Sequence, residues 1–252
     1  MDNSLGSPIK QRRIIGFKLY SLMLVLQLSL VILAMLYCKK YIVCAGFSVA
    51  LSSAIIPASQ YILQIISELY GFDHGRQQVW LSTIVRMLLL IVVFLGVIYS
   101  NLNPSNDGPN NYFEVIGSWQ DFIVISLSLL LLVIIEFLLV KYACKLKSYW
   151  HGKKLVLRLI MLQLVVELLF LMMSSLIVSC YYQYNLSLHL TLLLNNIIFS
   201  SVVSVLLMPF MISACNFIKY REGYAVYDIN QDYKIFAFKI NFEKMQFKRI
   251  KY

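Results

Sequence analysis

Residues 155–182 read LVLRLIMLQLVVELLFLMMSSLIVSCYY. A spanning helix needs about 20 mostly apolar residues, since each advances ~1.5 Å across a ~30 Å hydrocarbon core. This stretch exceeds that length, and its polar breaks are few: Arg158, Gln163, Glu167 and three serines. Five further stretches have the same character, at roughly 14–38, 41–69, 77–99, 121–142 and 190–218. The expected fold class is therefore an all-α integral membrane protein. A six-transmembrane-helix bundle over 1–219 precedes a basic, aromatic-rich cytoplasmic tail over 220–252.

Composition agrees. Of 252 residues, 60% are apolar and 13% charged, against about 25% charged in soluble domains. One core could not hide so much apolar surface, so lipid is expected to solvate it. No small-residue cleavage site follows the first apolar run, so that run reads as a span and not as a signal peptide. The connections carry turn chemistry: Lys39-Lys40, then Gly71 to Arg76, then Asn101 to Ser118 with Pro104, Asp107-Gly108 and Pro109, then Tyr181 to His189.

The net charge of +10 is explained by topology. Lys10, Arg12, Arg13 and Lys18 precede the first span, and Arg76 lies between the second and third. Lys141, Lys145, Lys147, Lys153, Lys154 and Arg158 join the fourth to the fifth. Lys219, Arg221, Lys234, Lys239, Lys244, Lys248, Arg249 and Lys251 follow the sixth. Six spans put all of these on one side, with only Lys39 and Lys40 opposite and Arg86 inside a span. Both termini are thus expected in the cytoplasm, in a multi-pass protein of a bacterial inner membrane. A nucleic-acid partner is unnecessary; the bilayer is the partner. The five cysteines, Cys38, Cys44, Cys144, Cys180 and Cys215, have no C-x-x-C spacing, which argues against a disulfide framework and a metal site. In the tail, Phe236, Phe238, Ile240 and Phe242 alternate with Ala237, Lys239, Asn241 and Glu243. That period of two fits a short strand or an extended headgroup-level segment, with a disordered tail as the alternative.

A charge inside hydrocarbon costs at least ~2.5–3.5 kcal/mol, so each one requires a reason. Arg86 on the third helix and Glu136 on the fourth lie at matching depths from the cytoplasmic side, which permits an ion pair. Glu167 falls near the midplane with no basic neighbour in sequence, where burial disfavours its charged form. Three roles are open to it: binding a substrate donor, carrying a coupling proton, or pairing with Arg86. Gln163 and Ser174 share its helical face. On the second helix Ser53, Pro57, Gln60, Gln64 and Glu68 form a polar stripe, and on the sixth Asn196, Ser200 and Ser204 lead to Pro209. Helix packing through small polar residues explains serines, each worth only ~0.6 kcal/mol, better than it explains glutamines. The stripes suggest one polar cavity walled by helices two, three, five and six. Phe170 and Trp80 are candidates to stack on a flat ligand. Gln60, Gln64, Gln163, Glu167, Asn196 and Ser200 are the candidates to read its polar edge. Pro57 and Pro209 are candidate bending points, while Glu68 and Arg76 are expected to stabilise the turn between helices two and three.

Two stretches carry a family resemblance. Ile65-Ile66-Ser67-Glu68-Leu69-Tyr70-Gly71, then Gly75-Arg76 and Val79-Trp80, resembles one signature of the queuosine precursor transporters. Leu206-Leu207-Met208-Pro209-Phe210, then Lys219-Tyr220-Arg221-Glu222-Gly223 and Val226-Tyr227-Asp228, is similar to that family's ending. The resemblance implies six helices and uptake of 7-deazaguanine compounds. It also exposes departures: Gln64 replaces an aspartate, Ser200 stands near a usual lysine, Met208 replaces threonine and Ala225 replaces aspartate. Helix five's Gln163 and Glu167 echo the family only loosely.

The expected function is thus import of a planar, purine-like base, with no cofactor and with protons and a second copy of the chain as further candidate partners. The alternatives are a binding subunit driven by a separate energising partner, or a transporter of a different heterocycle. An intramembrane enzyme is disfavoured, because H-E-x-x-H and G-x-S-x-G are absent and His74, His151 and His189 all lie near helix ends. A membrane scaffold leaves Gln60, Gln64, Glu167 and Asn196 without a reason.

Overall fold

The computed structural model describes residues 19–37, 40–44, 47–102, 119–150, 154–182, 186–222, 224–228, 233 and 245–249. Six α-helices follow in order: α1 (Tyr20–Leu36), α2 (Ser52–Tyr70), α3 (Phe72–Leu102), α4 (Trp119–Tyr149), α5 (Leu155–Tyr182) and α6 (Leu186–Glu222). Four of these, α3 to α6, are long and apolar enough to cross a membrane. Their outward faces carry large apolar side chains such as Leu88, Val92, Ile134, Val165, Met172 and Val202, the surface that lipid would solvate. The basic cluster before Leu19 and the alternation over 236–242 lie outside the described residues.

The second apolar run differs from its expected form. Within it β1 (Tyr41–Cys44) pairs antiparallel with β2 (Phe47–Ala50) as a hairpin, and the helix begins only at Ser52. Tyr-Ile-Val-Cys and Phe-Ser-Val-Ala are rich in aromatic and β-branched residues, which favour strands. A short apolar run of this kind fits either element by periodicity alone. The Leu51 N–H donates to the Lys40 carbonyl at 2.8 Å and closes the base of the hairpin.

α2 is the central pillar, in contact with the five other helices among the described residues. Every residue from Ser59 to Tyr70 is buried. A helix enclosed by protein can carry glutamines and a glutamate that a lipid-facing helix could not. It runs through Pro57 without ending, as α6 runs through Pro209.

Between α2 and α3 the expected six-residue turn is a single residue. Gly71 adopts φ 86°, a left-handed conformation that glycine takes at least cost, and Phe72 already begins α3. Gly75 then lies where α2, α3 and α4 converge. A Cβ there would meet Ser67 Oγ at 2.7 Å and Val140 Cγ1 at 2.8 Å. Ser67 Oγ is engaged by the Leu63 carbonyl at 2.8 Å, and valine has little rotamer freedom. Gly75→Ala should therefore destabilise the bundle by about 1–3 kcal/mol, read as a lowered unfolding temperature in detergent. An unchanged temperature would show that the three helices can move apart freely.

In the tail, β3 (Tyr224–Asp228) pairs antiparallel with β4 (Met245–Arg249). β3 lies against α2, α4 and α6, with Val226 buried.

Candidate functional site

Three groups of buried polar residues occupy three levels of the bundle. The first lies at the end of α2 that leads into α3. Glu68 accepts from both guanidinium arms of Arg158 on α5, at 3.0 and 3.1 Å, and from Lys219 on α6 at 3.4 Å. Lys147 on α4 donates to the Glu68 backbone carbonyl. Glu222, closing α6, accepts from the Leu19 N–H at 2.8 Å and the Tyr70 hydroxyl at 3.2 Å. Arg76 pairs within its own turn with Asp73 at 3.0 Å. Glu68 thus does more than stabilise the turn to α3: it ties α2 to α5 and α6. In the sequence Arg158 reads only as a topological charge, because a two-armed match with a carboxylate 90 residues away leaves no local spacing signal.

One level deeper is the glutamine cluster. Gln64 Nε2 donates to Gln163 Oε1 at 2.6 Å, and Gln163 Nε2 donates to Gln60 Oε1 at 2.7 Å and to Glu167 Oε1 at 3.3 Å. The same Glu167 oxygen accepts from Ser200 at 2.9 Å and Ser204 at 2.5 Å. Tyr61 donates its hydroxyl to the Ser204 carbonyl at 3.1 Å. Gln60, Gln64, Gln163, Glu167 and Ser200 are therefore brought together, from α2, α5 and α6. Glu167 Oε1 accepts all three of its hydrogen bonds, which fixes how the amides point. Gln163 turns its nitrogen toward Glu167 and its oxygen toward Gln64, whose own nitrogen must answer. Gln60 Nε2, Gln64 Oε1 and Glu167 Oε2 are then left buried without a hydrogen-bond partner among the described residues. Buried polar atoms of that kind are rare and call for an explanation.

Above this cluster, toward the hairpin, is a cavity of about 480 Å³. Its wall includes Ser59, Arg86, Ser128, Phe170, Ser174 and Asn196. Three of the wall helices pass from cavity to cluster within about a turn: Ser59 to Gln60 on α2, Phe170 to Glu167 on α5, Asn196 to Ser200 on α6. The cluster thus lies just beneath the cavity floor, and its own residues do not line the cavity. Phe170 is available for stacking, but Trp80 is not, since it packs edge-on against Phe137 with centroids 5.4 Å apart. Asn196 accepts from the Ala50 N–H at 2.9 Å, so it also anchors the hairpin. α1 and α4 contribute to the wall as well, through Val31 and Ser128 among others.

Arg86 was expected as a partner for Glu136, with Glu167 as an alternative, and the structure makes the first pair: Nη1 to Oε2 is 2.9 Å, and Nη2 binds Oε1. Arg86 lines the cavity too, with its Nε lacking a partner among the described residues. Glu167 joins no ion pair among the described residues, so it does not take Arg86 as its partner. Of the buried glutamates among the described residues, Glu68, Glu136 and Glu167, it alone is held by neutral donors.

Long apolar helices packed around an enclosed polar pillar define a multi-pass membrane protein. Within that class the chain belongs to the family described as "Putative vitamin uptake transporter", whose model matches residues 50–214. It is accordingly a membrane transporter. The match takes in α2 to α5 and most of α6, and so nearly all of the cavity wall and floor. No curated protein and no solved structure matches the chain.

Arg86 and Glu136 are each 1% exposed, so neither charge can fall back on water. Glu136→Ala should cost about 3–5 kcal/mol by leaving Arg86 uncompensated. The double variant Arg86→Met with Glu136→Leu should recover most of that loss, as seen by thermal unfolding in detergent. Equal losses in the single and double variants would mean the pair's shape matters more than its charge.

Proposed function

We propose that the protein imports a queuosine precursor, a 7-deazaguanine-type base, or a closely related planar heterocycle, across the cytoplasmic membrane of a bacterium. In this reading the chain crosses six times, with both termini and the Glu68 level on the cytoplasmic side, and the cavity opens toward the outside. The density of lysine and arginine at the Glu68 end supports that orientation.

The observation that carries the reading is the set of three buried, unpartnered atoms just beneath the cavity. They offer one donor, Gln60 Nε2, and two acceptors, Gln64 Oε1 and Glu167 Oε2. The edge of a guanine-type base offers the complement: a carbonyl acceptor, a ring N–H and an exocyclic amine. An adenine-type edge does not. Phe170, a turn above Glu167, supplies the aromatic face. Gln64 and Ser200, where an acid and a base of the family pattern are missing, both belong to this one cluster, linked through Gln163 and Glu167. Their joint replacement by neutral groups leaves Glu167 as the sole carboxyl of the cluster, suited to a neutral base with two donors.

Thermal stabilisation of the detergent-purified protein by a panel of purines and 7-deazapurines tests this. A ligand that binds only the folded state raises the unfolding temperature by mass action. Guanine-type 7-deaza bases should raise it and adenine-type bases should not. Glu167→Gln should weaken the effect about tenfold or more, because a ligand donor loses its acceptor in a buried site, at ~1–3 kcal/mol. A shift given by a different base would mean that the fold is kept and the cargo has changed. No shift with any base would overturn the reading.

A further inference from the structure

The end of the bundle opposite the cavity is sealed partly by the tail. Lys147, in the last turn of α4, donates to two backbone carbonyls, that of Glu68 on α2 and that of Val226 on β3. Lys147 is 2% exposed and Val226 1%. Tyr233 packs edge-on against Phe72, the first residue of α3, with ring centroids 5.0 Å apart. Beneath the lysine, one turn back along α4, is Cys144, 2% exposed. Its Sγ lies 3.7 Å from the Ser67 carbonyl, one residue before the carbonyl that Lys147 holds.

A carrier that takes in its ligand at one end must open the other to release it. The parts of this seal differ in what opening would cost. Drawing Glu68 away from Arg158 would break a two-armed ion pair inside the bundle, the expensive outcome. Lifting β3 away exposes the Lys147 ammonium and the Val226 carbonyl to water, which replaces the bond each loses. Such exchange costs little, because a hydrogen bond traded for one to water loses only its small net worth. β3 pairs with β4 in a two-stranded sheet, so the hairpin can leave without breaking a larger sheet.

We propose that the C-terminal strand β3 is the movable seal of this end of the transport path, and that Lys147 is the latch that holds it shut. The inference depends on the protein being a transporter but not on which compound it carries. It gives the tail a task in the transport cycle: β3 docks while the cavity is open at the far end and lifts when the Glu68 end opens.

Cys144 is a native reporter for the seal. Full-length protein keeping only Cys144 and Cys180, with Cys38, Cys44 and Cys215 changed to alanine, would be reconstituted in vesicles and treated with a membrane-impermeant maleimide. Cys180 is exposed at the other end of α5 and monitors the rest of the bundle. Lys147→Ala and Val226→Asp should each speed labelling of Cys144 at least tenfold, and only from the face that bears the tail. Labelling of Cys180 should not change, and Lys147→Arg should restore slow labelling of Cys144. Cys144 labelling that stays slow in both variants would overturn the proposal. So would faster labelling of both cysteines, which would indicate a loosened bundle and not a released latch. No ligand is added, so an error in the proposed cargo cannot produce or mask either result.

Discussion

The bundle depends on the neutralisation of one buried carboxylate. Glu68 belongs to the most enclosed helix, and its charge is met by groups from α5 and α6. The two stretches that carry the family resemblance, Ile65 to Trp80 and Leu206 to Asp228, are far apart in the chain and meet at this point. Glu68 bonds Lys219, Tyr70 bonds Glu222, and Lys147 spans from the Glu68 carbonyl to Val226. An arginine with both arms on one carboxylate fixes orientation as well as distance, so α5 is held against α2 in a defined rotation. That rotation brings Gln163 and Glu167 toward Gln60 and Gln64.

The levels stacked along α2 differ in the kind of polarity they use. The Glu68 level uses full charges and binds helices to each other. The cluster above it uses amides, hydroxyls and a lone carboxylate, and leaves three atoms unmatched. The cavity above that is lined mostly by apolar side chains, with serines, Asn196 and the already neutralised Arg86 as its polar part. Strong pairing keeps one end shut, while incomplete pairing beneath the cavity leaves something for a ligand to complete. Binding energy can then act where hydrogen bonds are missing, instead of competing with bonds already made.

Much of this was legible in the sequence, for identifiable reasons. Long apolar runs announce helices, so α3, α5 and α6 were anticipated closely, although α3 extends to Phe72 because Gly71 alone makes the turn. The Arg86–Glu136 pair could be foreseen because both charges sit at equal depth in long spans. The Gln60, Gln64, Gln163, Glu167 and Ser200 cluster was approachable because amides and a carboxylate in hydrocarbon need partners. The hairpin at 41–50 was not legible: its residues are as apolar as a helix, and only their pairing distinguishes it. The bond between Glu68 and Arg158 was also hidden, since 90 residues separate them and arginine near a helix end is ordinarily read as an interfacial anchor.

The enclosure of α2 also bears on how the protein is made. The chain is inserted from its N-terminus, so α2 enters the membrane region with Gln60, Gln64 and Glu68 before most of their partners exist. Arg158 is synthesised 90 residues after Glu68, and Lys219 follows 151 residues after it. Until then α2 is a poor solute for lipid, because its polar atoms have neither water nor protein to bond. The insertion machinery must therefore keep α2 shielded, or leave it at the membrane surface, until α5 and α6 emerge. Assembly of this transporter ends with its middle: the helix at the centre of the finished bundle is among the first translated and the last to become stable.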